Sequence, residues 1–385
     1  MRAVKTERYS VARPRRNTVS GNTADQSTTE SVRSGQETAD HAPVRLSRYR
    51  LASFIVILLT VAGCESTPPP EKSPPYPPDK AGECTMKRMA TVPVLTATGP
   101  PVIEVTLNGK PAAMIVGTGA QTSAVSAAAV KAFGLVETGT YAKVYGTTGG
   151  IELPFVHSDR LLVGRADASD FALFEMRDRR RDAPMPSIGG LPLVGELGTD
   201  FLRHYEVWFD LPEGVIILAQ PRRCTLKDVA WDASTDQVPI EVNYTGRADV
   251  PIRLDGHKVD AMLSSSSSTT TITPDELDWF GIRSTKVAAN HAEIVRGVNG
   301  LTVSAHRRQF ADLEIGTEKF SDVWLTVAPM EAVDAVLGSD FFRNVVFWLS
   351  FRQKMIYIEK GKVNPFASEH PSSPRRSEEQ PAPPA

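Results

Sequence analysis

Apolar and polar residues alternate twice along the chain with the period of a half-buried strand. Ile103, Val105 and Leu107 alternate with Val102, Glu104, Thr106 and Asn108, and Ile252 and Leu254 alternate with Pro251, Arg253 and Asp255. Each stretch ends in a hairpin signal, Asn108-Gly109 or Asp255-Gly256, because a tight turn needs residues that tolerate positive φ. One short helix is predicted downstream of each, over 127–133 and 274–280. For the second, Thr273 is placed as N-cap, Pro274 at the first helical position and Glu276 at the capping-box position.

These elements belong to a repeat. Residues 108–135 align without gaps on 255–282, with Thr122-Ser123 opposite Thr269-Thr270 and Phe133-Gly134-Leu135 opposite Phe280-Gly281-Ile282. Leu161-Leu162-Val163-Gly164 matches Leu313-Glu314-Ile315-Gly316. Leu197-Gly198-Thr199-Asp200-Phe201 matches Leu337-Gly338-Ser339-Asp340-Phe341, and Trp208 stands opposite Trp348. Self-similarity on this scale means one structural unit used twice. The expected fold class is all-β: a first β-barrel lobe over 88–222, a linker over 223–237 and a second lobe over 238–361, with one short helix per lobe.

The flanks differ in texture. Residues 1–43 are polar, with Tyr9 their only aromatic, and cannot bury enough surface to fold. Arg45, Arg48 and Arg50 then precede an apolar run over 51–63, too short to span a membrane and suited to an export signal. Val61-Ala62-Gly63 before Cys64 resembles the bacterial lipoprotein signal. That resemblance implies acylation of Cys64 as the mature N-terminus, and a cell-envelope location facing the periplasm, on the outer membrane. Residues 44–64 form a complete signal in length, so translation is expected to begin near Val44, which makes the disordered leader 1–43 an artefact of the assigned gene start. Prolines between Pro68 and Pro78 make 65–87 a tether, and 362–385 reads as a disordered tail.

Charge and cysteine usage narrow the function. The 385 residues carry 43 basic and 45 acidic side chains, a net charge of -2, so no field of one sign favours nucleic acid. Three cysteines without Cys-x-x-Cys spacing, and no histidines at ligand spacing, predict no metal site, and no cofactor is expected.

The order of a hairpin, an apolar strand, a small-residue loop, a helix, a Gly-rich hairpin and Leu-Gly-x-Asp-Phe occurs twice. It resembles the retropepsin-like aspartic proteases in tandem, across 88–361, and implies a bilobal pepsin-type fold. In that family the loop after the apolar strand carries Asp-Thr-Gly, and the two aspartates meet between the lobes. Two touching carboxylates cannot both ionise, so one acts as base on a water while the other serves as acid on the peptide carbonyl. Here the first loop reads Val116-Gly117-Thr118-Gly119-Ala120 and the second Leu263-Ser264-Ser265-Ser266-Ser267-Ser268. Gly117 and Ser264 stand at the aspartate positions, and neither supplies a carboxylate. General acid and base contributions of about 10²–10⁴-fold each have no agent.

The resemblance therefore implies a pseudoprotease: a monomer, tethered to the membrane through Cys64, whose cleft binds an extended peptide or partner protein by strand-type pairing. Thr118, Gly119, Ala120, Ser265, Ser266 and Ser267 would line that cleft, the serine run being a polar loop free to drift. Tyr145, Gly146 and Thr147, and in the second lobe Gly297, Asn299 and Gly300, resemble the family's flaps, the tyrosine closing over the ligand. Asp260 lies about 13 Å back along its strand from Ser264, and Asp200 and Asp340 read as structural. His257, His291 and His306 lack a nucleophile context. Cys84 and Cys224 bracket the first lobe and are expected to pair in an oxidising compartment. The alternative is an active aspartic-type endopeptidase that uses other carboxylates or pairs with an intact paralogue.

Overall fold

The computed structural model describes residues 85–176, 184–229, 231, 233–287, 293–296, 301–359 and 365–367. The leader, the signal, most of the tether and of the tail, and with them Cys64, Cys84, His291, Gly297, Asn299 and Gly300, lie outside the described residues.

Both repeats fold as β-lobes, and the fold class is all-β. In the first lobe the strands run in the order Val102–Leu107, Lys110–Val116, Leu191–Leu197, Ala124–Ser126, Ala166–Met176, Gly149–Val163 and Val136–Gly146. The sheet closes on itself where Thr106 and Leu107 pair with Leu162 and Leu161. The second lobe repeats the plan. Ala248–Leu254 pairs with His257–Leu263, which runs parallel to Ala335–Leu337, and closure comes from Ile252 opposite Ile315. The alternation explains the burial: Ile103, Val105, Leu107, Ile252 and Leu254 are buried in one continuous core, while Glu104 and Arg253 face water. Asn108 and Gly109 have φ of 47° and 77°, and Asp255 and Gly256 have 47° and 81°, the positive values that the sequence signals require.

The helices fall at Ala127–Phe133 and Pro274–Phe280, capped by the Ser126 and Thr273 hydroxyls, which accept from the amides of Ala129 and Glu276. Each lobe also has a second helical turn that the one-helix expectation left out, Thr199–Leu202 and Ser339–Phe342. Four residues are too few to show a helical period, and these turns are held by their acids instead. Asp200 accepts from the Ser123 amide at 2.8 Å and hydroxyl at 2.7 Å. Asp340 accepts from the Thr270 amide at 2.8 Å and hydroxyl at 2.6 Å.

A third, six-stranded sheet joins the halves in the order Thr85–Pro93, Val215–Arg222, Glu206–Asp210, Phe347–Ser350, Met355–Glu359 and Thr235–Pro239. At its centre Val207, Trp208 and Phe209 pair with Leu349, Trp348 and Phe347. The two indoles stack 6.0 Å apart. The stretch read as a linker thus supplies an edge strand of this sheet, Thr235–Pro239, as well as the short helical turn Leu226–Asp228.

Candidate functional site

Each lobe delivers one loop to the interface, directly after a buried strand. Thr118 and Ser265 are fully buried there and grip one another across the chain. The Thr118 amide donates to Ser265 Oγ at 3.1 Å, and the Ser265 amide donates to Thr118 Oγ1 at 3.0 Å. The two hydroxyls cross in turn, Thr118 Oγ1 donating to the Leu263 carbonyl at 3.0 Å and Ser265 Oγ to the Val116 carbonyl at 2.5 Å. The serine run is therefore no slack loop at this position, because three of these bonds fix Ser265 where the first lobe has Thr118. Thr118→Val keeps the volume but leaves the Ser265 amide without its acceptor; the expected cost is about 2 kcal/mol, read from urea unfolding. A variant as stable as wild type would show that the grip contributes nothing.

Around this grip the remaining predicted residues sort by accessibility. Gly117 and Ser264 are buried, whereas Gly119, Ala120, Ser266 and Ser267 keep part of their surface. Ser264 Oγ shares a hydrogen bond of 2.9 Å with Ser267 Oγ. Gly119 presses on the same group, since a Cβ there would come within 2.5 Å of Ser264 Oγ.

Gly117 has a neighbour that the sequence reading missed. Glu196 lies on Leu191–Leu197, parallel to Lys110–Val116 with Glu196 opposite Ile115. Its carboxyl fills the space that a side chain at 117 would take: a Cβ on Gly117 would fall against Oε1 and 2.6 Å from Cδ. Burial pushes this carboxyl above the ordinary range, and a hydrogen bond with the Ser266 side chain pulls it partly back. The corresponding residue of the second repeat is Val336. That mismatch, an acid against an aliphatic just before a matched Leu-Gly-x-Asp, is the signal that could have found it.

The raised value makes the fold hold the neutral acid better than the ionised one. The stability contributed by the neutral form is present at low pH and fades as pH rises from the ordinary carboxylate range through the raised value. Glu196→Gln is expected to melt above wild type at pH 7 and level with it below about pH 4. Thermal scans across that range check the sign, and a variant melting lower at pH 7 contradicts it.

Among the described residues, Asp260, His257, Asp200 and Asp340 are engaged elsewhere. Asp260 is exposed and pairs with Lys258 at 3.1 Å, and the His257 ring lies 5.2 Å from that of Phe280. Asp200 and Asp340 serve the helical turns, both pushed up by burial and pulled down by their donors.

The first flap is a hairpin of Val136–Gly146 and Gly149–Val163. Its tip rests on the second lobe, where the Glu331 amide donates to the Thr147 carbonyl at 2.8 Å and Thr148 is buried. Tyr145 does not close over the loops as the resemblance implied. It is 62 % exposed, pairs with Gly150 and lies beneath Lys143 Nζ, 5.0 Å from the ring centroid. The cause is parity: buried Gly149 and Leu153 set the inner face of the hairpin, and Gly150, with its partner Tyr145, falls on the other. Cys224 is disulfide-bonded, and its sulfur lies 3.8 Å from the carbonyl oxygen of Thr85, the residue after Cys84.

Residues 103–201 match the family described as aspartyl protease, and residues 250–344 match the gag-polyprotein putative aspartyl protease family. No curated protein matches the chain. The matches begin in the strands Val102–Leu107 and Ala248–Leu254, run past the interface loops and reach the helical turns that carry Asp200 and Asp340. With one domain matched in each repeat, the chain belongs to the retropepsin-like aspartyl proteases, as two such domains in tandem.

Proposed function

We propose that the protein is an exported lipoprotein, acylated on Cys64 and facing the periplasm, that holds an extended peptide or partner segment between its lobes without cutting it. One observation carries this reading. The two interface loops keep their grip through Thr118 and Ser265 but present Gly117 and Ser264 where an aspartic protease needs two carboxylates. The fold keeps the paired interface loops of an aspartic protease, and their sequence lacks the proton-sharing pair that cleaves. Glu196 lends some weight to the competing reading, an endopeptidase using other carboxylates. It supplies one acid, however, and Ser264 opposite supplies only a hydroxyl already engaged by Ser267.

The purified protein, incubated with a mixed peptide pool from acid to neutral pH, is expected to leave every peptide intact by mass spectrometry. Cleavage that a transition-state peptide analogue blocks would overturn the reading. The anchor is tested separately: labelled fatty acid should enter the wild-type protein and not Cys64→Ser.

A further inference from the structure

Glu196 lies against the first interface loop, and its placement is one-sided. Glu196 reaches into the space beside Gly117, while the second repeat has Val336 at the corresponding position and a serine, not a glycine, on its loop. The glycine and the glutamate go together, since any Cβ at 117 would displace the carboxyl. Gly117, Thr118 and Ser265 lie buried, whereas Glu196, Ser266 and Ser267 keep accessible surface. Glu196 from the first lobe and Ser266 and Ser267 from the second thus keep part of their surface beside a floor that is otherwise buried.

We propose that Glu196, Ser266 and Ser267 form a docking point for a primary ammonium group on the bound peptide, carried by a lysine side chain or a free amino terminus. The proposal rests on the peptide-binding reading for the identity of the ligand. Among the described residues of the strands and loops that flank it, an ionised carboxylate here meets no counter-charge. Among the described residues, the flanking strands Lys110–Val116 and Ala124–Ser126 and the loops 117–123 and 264–268 bring it apolar, amide and hydroxyl groups. Lys110 sits at the far end of its strand, and Asp200, four residues on, is turned to Ser123. Among the described residues, the Ser266 side chain favours the charged form, and a ligand cation would add an opposite charge. An ammonium is a compact charge with three donors, matched by one carboxylate and two hydroxyl acceptors. A guanidinium binds best through a bidentate fork, and the hydrogen bond with Ser266 already occupies part of the carboxyl.

Calorimetry on the intact protein tests this with three heptapeptide pools and one simple amine. The first pool is N-acetylated with a central lysine, the second N-acetylated with norleucine there, and the third carries norleucine with a free amino terminus. The wild type is expected to bind the first or third pool at least about tenfold more tightly than the second, and Glu196→Gln to lose that preference. The preference should fade on acidification, as Glu196 takes up its proton. Equal binding of all pools would overturn the ammonium site and leave peptide binding standing. Affinity that rises on acidification would mean a neutral acid donating to a ligand carbonyl, and would overturn it too. If no pool binds, n-butylammonium decides. A shift of the Glu196 carboxyl resonance in the wild type would keep the site and discard the peptide reading, and no shift would discard both. Should Glu196→Gln fail to fold, the wild-type pH dependence and the amine titration still separate these outcomes.

Discussion

Asp340→Ala is expected to lower the unfolding free energy by about 3–5 kcal/mol, a loss large enough to threaten the fold of a typical domain. Asp340 is 9 % exposed and accepts from the Thr270 amide, the Thr270 hydroxyl and the Phe341 amide. The Thr270 oxygen in turn accepts from the Gly338 amide at 3.0 Å, so one carboxylate holds together the loop after the serines and the turn that follows Leu337. Its removal strands buried donors, each costing about 1–3 kcal/mol, and withdraws the negative charge that stabilises the buried Arg307. Asp200→Ala should cost less, because Asp200 is less buried and the first lobe has Phe155 stacked on Phe174 where the repeat aligns Arg307 and Thr326. Urea unfolding of the two variants measures the difference. An Asp340→Ala protein within about 1 kcal/mol of wild type would remove the structural role of this carboxylate.

The second large effect concerns restored chemistry. Putting aspartate back at both loops with Gly117→Asp and Ser264→Asp is expected to yield no cleavage, because the new side chain at 117 meets the Glu196 carboxyl. Overpacking of that kind typically costs about 1–3 kcal/mol, and relief by moving either acid breaks the geometry that a shared proton demands. Adding Glu196→Val, which copies Val336 of the second repeat, makes the room. Only the triple variant is expected to gain peptide cleavage, by at least about 10²-fold over wild type, measured on a fluorogenic peptide at acid pH. A double variant as active as the triple would show that Glu196 does not hold the place of the lost acid.

Much of the fold is legible in the amino-acid order alone. Asn108-Gly109, Asp255-Gly256 and the Thr273 cap act within a few residues, where propensity decides, and each forms as expected. The repeat locates both interface loops, because a duplicated unit shows its equivalent positions directly. What escapes depends on distance in sequence. Glu196 is nearly 80 residues from Gly117, and only the parallel pairing of their strands brings them together. Motif matching sets Tyr145 over the loops, but strand parity turns it outward. Ser265 looks like one serine among five until its partners, Thr118 and Val116, are found across the lobe boundary.

The central pairing of the shared sheet relates the two repeats to each other. Trp208 pairs with Trp348, its own counterpart in the repeat, and Val207 and Phe209 pair with the counterparts of each other. A strand that meets its own copy about a two-fold axis is the arrangement of an isologous dimer, so the two repeats meet within one chain as the subunits of such a dimer meet. In such a dimer every change is imposed on both sides at once, and the two sides of the interface cannot take different roles. Two repeats in one chain are free of that constraint. One half could place a glycine and a neighbouring glutamate at the axis while the other placed serines, an asymmetry open only to the single chain.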